Sequence, residues 1–300
     1  MTRAQEASLQ DYLSEQVPVI DRALNEWVPG EHVAPVSIHR AMRYSLFAGG
    51  KRIRPILAIA AARAVSDSPD GVEHAACTLE LIHTYSLIHD DLPALDNDDL
   101  RRGRPTCHKV FGDAIAILAG DALLTLAFEV LSRLRYIDEC RTIRLVEELS
   151  RSAGTVGGMI AGQVSDIEGE RRRPTPHLLE SIHRAKTGAL IRASVRMGGI
   201  YAGATEDELA ALSSYGEHVG LAFQIIDDVL DVEESSEALG KTAGKDEAQQ
   251  KITFPAVYGL ARSREMAEEE RLAAHIALRT FDDRAERLRQ IADFIVHRKA

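Results

Sequence analysis

His83-Thr84-Tyr85-Ser86-Leu87-Ile88-His89-Asp90-Asp91-Leu92-Pro93-Ala94-Leu95-Asp96 is the stretch from which the architecture is read. Apolar helical turns precede the paired aspartates, so Asp90 and Asp91 emerge from a buried helix rather than from a solvated face. Burying that much negative charge without compensation costs several kcal/mol per ion, so an internal site requires a cation. Carboxylate oxygens select a hard ion such as Mg²⁺ or Ca²⁺ over zinc. Pro93 cannot continue regular helical hydrogen bonding and should loosen or end the helix there. In an unbroken helix Asp90 and Asp96 would lie ~240° apart at about 100° per residue; a bulge at Pro93 is what brings Asp96 back to the face of Asp90. The run continues Asn97-Asp98-Asp99-Leu100-Arg101-Arg102-Gly103-Arg104-Pro105, where Asp98 and Asp99 read as solvated or locally structural.

A second acidic cluster, Phe223-Gln224-Ile225-Ile226-Asp227-Asp228-Val229-Leu230-Asp231, sets Asp227 and Asp231 one helical turn apart on a common face. Carboxylates so placed repel unless a cation bridges them. Neither cluster has the Gly-centred loop closed by a bidentate Glu that an EF-hand requires.

Outward from these clusters, Ala, Leu, Glu and Arg dominate, aromatic residues make up 5%, and no segment alternates in the manner of a strand. The fold class is all-α. Helices are expected over roughly 4–27, 36–48, 54–66, 71–92, 110–134, 138–165, 176–203, 206–232, 250–278 and 281–298. Pro29-Gly30, Asp67-Ser68-Pro69 and Gly103-Arg104-Pro105 punctuate them. The hydrophobic pattern runs unbroken through 300 residues, which predicts one domain, 1–300, built as a bundle of about ten helices. The balance of 36 basic against 46 acidic residues, a net of −10, argues against broad nucleic-acid binding. Cys77, Cys107 and Cys140 are widely spaced, so neither a disulfide framework nor a zinc site is expected. The N-terminus lacks an apolar signal core and no apolar run approaches the ~20 residues that span a bilayer, which predicts a cytoplasmic protein without a membrane span.

Two magnesium-binding clusters imply a phosphate-bearing ligand, because Mg²⁺ keeps part of its shell for substrate phosphates. Cations suited to one are present. Gly49-Gly50-Lys51-Arg52-Ile53-Arg54-Pro55 combines close backbone approach with basic side chains at a helix start. Arg101 and Arg102 can grip phosphate in bidentate fashion. Lys186-Thr187-Gly188 lies within a helical segment, where glycine costs ~1 kcal/mol relative to Ala, so a local distortion that exposes carbonyls is expected. Lys241, Lys245 and Lys251 follow the second cluster in a Gly-containing loop, where mobile cations could close over a diphosphate.

Taken together, GGKRIRP, HTYSLIHDDLPALDNDDLRRGRP, GQVSD, KTG, FQIIDDVLD and LGK resemble the isoprenyl (polyprenyl) diphosphate synthases, with wording especially similar to the bacterial farnesyl diphosphate synthases. The likeness covers roughly 36–260 and is specific because both clusters occur in order with the basic motifs. It implies a polyprenyl synthetase domain of mostly antiparallel helices around a deep central cavity, the isoprenoid synthase fold, and usually a homodimer. It also implies that several Mg²⁺ ions are held by Asp90, Asp91 and Asp96 in one motif and by Asp227, Asp228 and Asp231 in the other. By the same likeness, Arg101, Lys186 and Lys241, with Lys251, bind the allylic diphosphate. Gly50, Lys51, Arg54, His83 and Arg102 hold isopentenyl diphosphate, and Thr187, the Lys186 carbonyl and Gln224 face the allylic cation. Gln163 and Asp166 match a further motif with a supporting role. The departures are Asn97 where many relatives carry an acid, the added cation Lys245, and a less diagnostic tail beyond residue 260.

The chemistry expected is ionisation of an allylic diphosphate, attack by isopentenyl diphosphate, and proton loss, with the departing pyrophosphate as base. His83 reads as a diphosphate donor and His89 as a structural partner. Tyr85 precedes Asp90 by ~7.5 Å along the helix axis at about 1.5 Å per residue, so with Ser86 it should form the cavity floor that stops growth at a farnesyl chain. Three rivals remain: a geranyl or geranylgeranyl synthase, a terpene cyclase, which has no need of a second diphosphate site, and an inactive partner subunit, which would tend to lose one acidic motif.

Overall fold

The structure is a computed structural model that describes residues 3–169, 175–237 and 253–298. It is built almost wholly of helices. In chain order these are α1 (Arg3–Trp27), α2 (Val36–Leu46), α3 (Ile53–Val65) and α4 (Val72–Asp90), then α5 (Cys107–Phe111), α6 (Asp113–Ser132), α7 (Glu139–Ala153) and α8 (Met159–Gly169). The second half contains α9 (Pro176–His183), a π-helical turn over Arg184–Gly188, α10 (Ala189–Ala202), α11 (Glu206–Glu237), α12 (Phe254–Tyr258), α13 (Leu260–Ala277) and α14 (Glu286–His297).

The central helices are apolar nearly all round, as helices enclosed by neighbours must be. In α3 every residue from Pro55 to Ala62 is buried, and in α10 Ala189, Leu190, Ile191, Ala193, Ser194 and Val195 are buried. Helix α3 packs along α10 and α4, α4 packs along α6, and α11 lies between α10 and α13. The three cysteines are free, with Cys77 and Cys107 buried and Cys140 exposed.

Glycine divides the longer expected segments. Gly112 separates α5 from α6, Gly259 separates α12 from α13, and the expected helix over 138–165 breaks between Ala153 and Met159 at Gly154, Gly157 and Gly158. Two strands of two residues each, Leu100–Arg101 (β1) and Arg104–Pro105 (β2), form a hairpin that the all-helical reading omits. It is too short to show alternation. Its turn is made by Arg102 at φ 53° and Gly103 at φ 73°, the pair of positive φ values that suits a tight hairpin.

Helix α6 corrects another expectation. By length and composition Asp113–Ser132 is apolar enough to cross a membrane. It packs against α4 and α2, and it leaves Ile117 (44% exposed) and Leu118 (51% exposed) on its outer face.

Candidate active site

Helix α4 stops at Asp90, and the chain beyond it curls back over the helix end. Leu95 N–H donates to the Leu92 carbonyl at 2.9 Å, Asp96 N–H to the Asp90 carbonyl at 2.9 Å and Asp98 N–H to the Asp91 carbonyl at 3.2 Å. The break at Pro93 therefore returns Asp96 to the neighbourhood of Asp90. Burial pushes the Asp90 carboxyl up to about 6; Lys186 opposes that rise, while Asp96 adds to it. Asp91 is 3% exposed and is gripped by Arg101, with Nη2 at 2.6 Å and Nε at 2.8 Å from Oδ1. His89 Nε2 bonds the Ile117 carbonyl of α6 at 3.0 Å.

The second cluster is tied to the same place through the π turn. Helix α8 crosses that turn so closely that a Cβ on Gly162 would lie 2.1 Å from the Lys186 nitrogen. Four residues further along the same face, Asp166 accepts a hydrogen bond from Lys186 Nζ at 2.6 Å. Burial works against the lysine charge, yet Asp166, Asp90 and Asp96 together hold Lys186 above the usual lysine range. The next residue, Thr187, donates to Gln224 Oε1 at 2.7 Å, and Gln224 Nε2 lies 3.4 Å from Asp227 Oδ2. The Lys186–Thr187 turn thus senses the first cluster through its ammonium and reaches the second through its hydroxyl. Asp228 is 8% exposed and accepts from the Phe254 N–H at 2.8 Å, which anchors the start of α12, and Asp231 is exposed one turn beyond Asp227.

A cavity of about 360 Å³ opens beside Asp227 and is lined by Gly50, Lys51, Arg54, His83, Arg102 and Arg298, with Ile191, Phe223, Phe294 and Ile295 as its apolar wall. Arg102 of the hairpin lies close against Gly50, whose φ of 132° favours glycine: a Cβ there would lie 2.6 Å from Arg102 Nη1. That guanidinium bonds the Gly49 carbonyl. Arg54 Nε is shut off from solvent without a hydrogen-bond partner, which leaves a donor suited to an anion. Burial pushes His83 well below the usual histidine range, and the charges of Arg54 and Arg102 push it further.

Arg298 belongs to this site and was missed by the motif reading. It pairs with Asp227 and lies 4.3 Å over the Phe223 ring. The only sequence signal for it is the basic ending His297-Arg298-Lys299. Burial raises the Asp227 carboxyl, and Arg298, Arg54 and Lys51 counter that rise. Gln163 is half-buried on α8, and Lys241, Lys245 and Lys251 lie outside the described residues. Tyr85 is 5% exposed with its ring edge-on to His89, 5.7 Å between centroids. Its hydroxyl is buried without a partner and is pushed up to about 12 by burial and by the charge of Asp90. Ser86 donates to the His83 carbonyl at 2.9 Å.

Among the described residues no group of three or more His, Cys, Asp or Glu is drawn together tightly enough to enclose a metal ion. The donor chemistry nevertheless fits a hard divalent cation. Burial raises the carboxyls of Asp90 and Asp227 by more than the neighbouring Lys and Arg charges lower them, which suits oxygen donors for a further cation.

The model of the polyprenyl synthetase family matches residues 35–294 of the chain. The chain is 47% identical over 295 residues to the heterodimeric geranylgeranyl pyrophosphate synthase large subunit 1 of Arabidopsis thaliana, covering 96% of this chain and 79% of the relative. It is 46% identical over 271 residues to the farnesyl diphosphate synthase of Geobacillus stearothermophilus, covering 90% and 89%. Among solved structures, an FPP/GFPP synthase from Zymomonas mobilis superposes with a TM-score of 0.87 at 35% identity, over 97% of this chain and 99% of that one. The geranylgeranyl pyrophosphate synthetase of Pyrococcus horikoshii superposes with a TM-score of 0.87 at 31% identity, over 98% and 99%. With two acidic clusters meeting at one π turn, and a match that spans nearly the whole chain, the protein belongs to the polyprenyl synthetase family.

Proposed function

We propose that the protein condenses dimethylallyl and geranyl diphosphate with isopentenyl diphosphate to give farnesyl diphosphate and pyrophosphate. The observation that carries this reading is the convergence of Asp90 and Asp96 with Asp227 on the Lys186–Thr187 turn, beside a separate cavity rich in cations. One anion site suffices for a cyclase; two are needed to join two diphosphates.

In this reading Asp90, Asp91 and Asp96, with Asp227 and Asp231, hold Mg²⁺, which supplies a Lewis acid for the charge on the departing pyrophosphate. Lys186 and Arg101 add fixed positive charge to the allylic diphosphate, and the lysines at 241 and 251 belong to the same role. Thr187 and Gln224 turn oxygen dipoles toward the allylic carbon as its C–O bond breaks. Lys51, Arg54, Arg102 and His83, with the open backbone at Gly50, orient isopentenyl diphosphate for attack. The new C–C bond forms from its double bond, and the proton released passes to the pyrophosphate.

Tyr85 supports the fifteen-carbon product, because its ring is packed one to two turns below Asp90 on α4. A geranylgeranyl product is the second reading, favoured by the identity to plant geranylgeranyl pyrophosphate synthases. We also infer a homodimer, supported by the apolar outer face of α6 at Ile117 and Leu118; sedimentation at a single-chain mass would contradict it. Incubation with labelled isopentenyl diphosphate and each allylic starter tests the reaction. Product that forms only when both diphosphates are present supports condensation, and product from an allylic diphosphate alone supports a cyclase.

A further inference from the structure

Arg52 lines the same cavity as Lys51 and Arg54, and so does Glu80, yet its guanidinium serves a different end. Its side chain is 2% exposed, and each of its three nitrogens is already bonded: Nε to Asp21 at 2.9 Å, Nη1 to Glu80 at 2.8 Å and Nη2 to the Leu46 carbonyl at 2.8 Å. Arg52 and Glu80 lie in the cavity wall, but the nitrogens of the guanidinium are committed to protein partners rather than turned to the open space. Those partners come from α1, α4 and the end of α2, so one guanidinium ties three helices to the loop that begins α3. Its backbone is left-handed, φ 50° and ψ 34°, a conformation that costs a side-chain-bearing residue free energy and persists only where the surroundings impose it. Glu80 is buried one turn before His83 on α4, so the same ion pair fixes the helix face that presents His83 to the cavity.

We propose that Arg52, locked by Glu80 and Asp21 in the wall of the isopentenyl diphosphate subsite, is a positioning residue that sets the subsite's geometry while its guanidinium nitrogens stay engaged with the protein. This rests on the reading of Lys51, Arg54 and His83 as that subsite. The left-handed turn at Arg52 directs Lys51 out of the loop and starts α3 so that Arg54, two residues later, returns to the same cavity. Loosening the turn separates these cations while leaving the Lys186–Thr187 side intact.

Removing Arg52 alone would strand the Glu80 charge in the core, so the test is the double variant Arg52→Met/Glu80→Met, since a buried ion pair can be replaced by apolar residues of similar volume with the fold retained. The expected result is a rise of roughly ten-fold or more in KM for isopentenyl diphosphate, with KM for geranyl diphosphate changed by less than about two-fold. Calorimetric titration with isopentenyl diphosphate alone should show the same loss of affinity. Unchanged values for both substrates would make the network merely structural and overturn the proposal, as would a parallel rise in both. Should the double variant fail to fold, Glu80→Gln, which preserves shape, must produce the same selective rise. Lys51→Ala distinguishes failure of the subsite from failure of the positioning role. If it leaves isopentenyl diphosphate binding intact, the subsite reading falls and the proposal with it; if it weakens binding while the double variant does not, only the positioning claim falls.

Discussion

Lys186 Nζ lies 2.6 Å from the Asp166 carboxylate while its charge also acts on Asp90 and Asp96. One ammonium therefore connects α8 to the first acidic cluster, and its place depends on the close crossing at Gly162. Asp166→Asn should free the ammonium and lower kcat by roughly ten- to a hundred-fold, with KM for isopentenyl diphosphate little changed, because the defect lies on the allylic side. Gly162→Ala should reduce kcat likewise and also destabilise the fold by about 1–3 kcal/mol, since the added methyl meets backbone rather than a movable side chain. Steady-state kinetics and thermal melting check both.

Asp90 carries the cost of a buried charge, with its carboxyl pushed up to about 6. In metal-free protein the folded state keeps a proton on Asp90 that the unfolded chain has released, so stability should fall as pH rises from about 4 to about 6. Asp90→Asn should remove that dependence and, at neutral pH in chelator, stabilise the fold by on the order of 1–3 kcal/mol while abolishing turnover. Denaturant titrations across this pH range give the answer; a variant no more stable than the parent would show that Asp90 is adequately compensated without metal.

The pairing of Arg298 with Asp227 places a tethered guanidinium on a carboxylate of the second cluster. Arg298→Ala should lower the melting temperature of the metal-free protein by a few degrees, because a truncated partner leaves a partly buried charge unpaired. Mg²⁺ with pyrophosphate should then raise the melting temperature by more in the variant than in the parent. An equal rise in both would show that the arginine does not compete with cations at Asp227.

Tyr85 offers the most direct control of product length. Tyr85→Ala removes a buried ring and should shift products beyond fifteen carbons, at a cost of about 3–5 kcal/mol in stability. Chromatography of the dephosphorylated products reads the outcome, and an unchanged distribution would remove Tyr85 from the cavity floor.

Much of this organisation is legible in the order of residues, and the exceptions have physical causes. Pro93 forecasts the end of α4 because its ring cannot sit in a continuing helix, and Gly188 marks the turn that becomes π-helical. The approach of Gly162 to Lys186 is not legible, since a contact between backbones so far apart in sequence leaves no periodic trace. Arg298 escapes for the same reason: its role comes from where α14 ends, beside Asp227, and not from any motif around it. Helix α6 conceals its apolar character behind Asp121 and Glu129, which interrupt the run without making it polar.

If the two acidic clusters and the cationic cavity serve to join two diphosphates, condensation must require both substrates and a divalent ion. Purified protein should be given geranyl diphosphate and labelled isopentenyl diphosphate, with Mg²⁺ or with chelator, and the products sized. The expected product is a fifteen-carbon diphosphate that appears only with Mg²⁺ and only when both substrates are supplied. Cyclised or hydrolysed geranyl product without incorporation of label would contradict it.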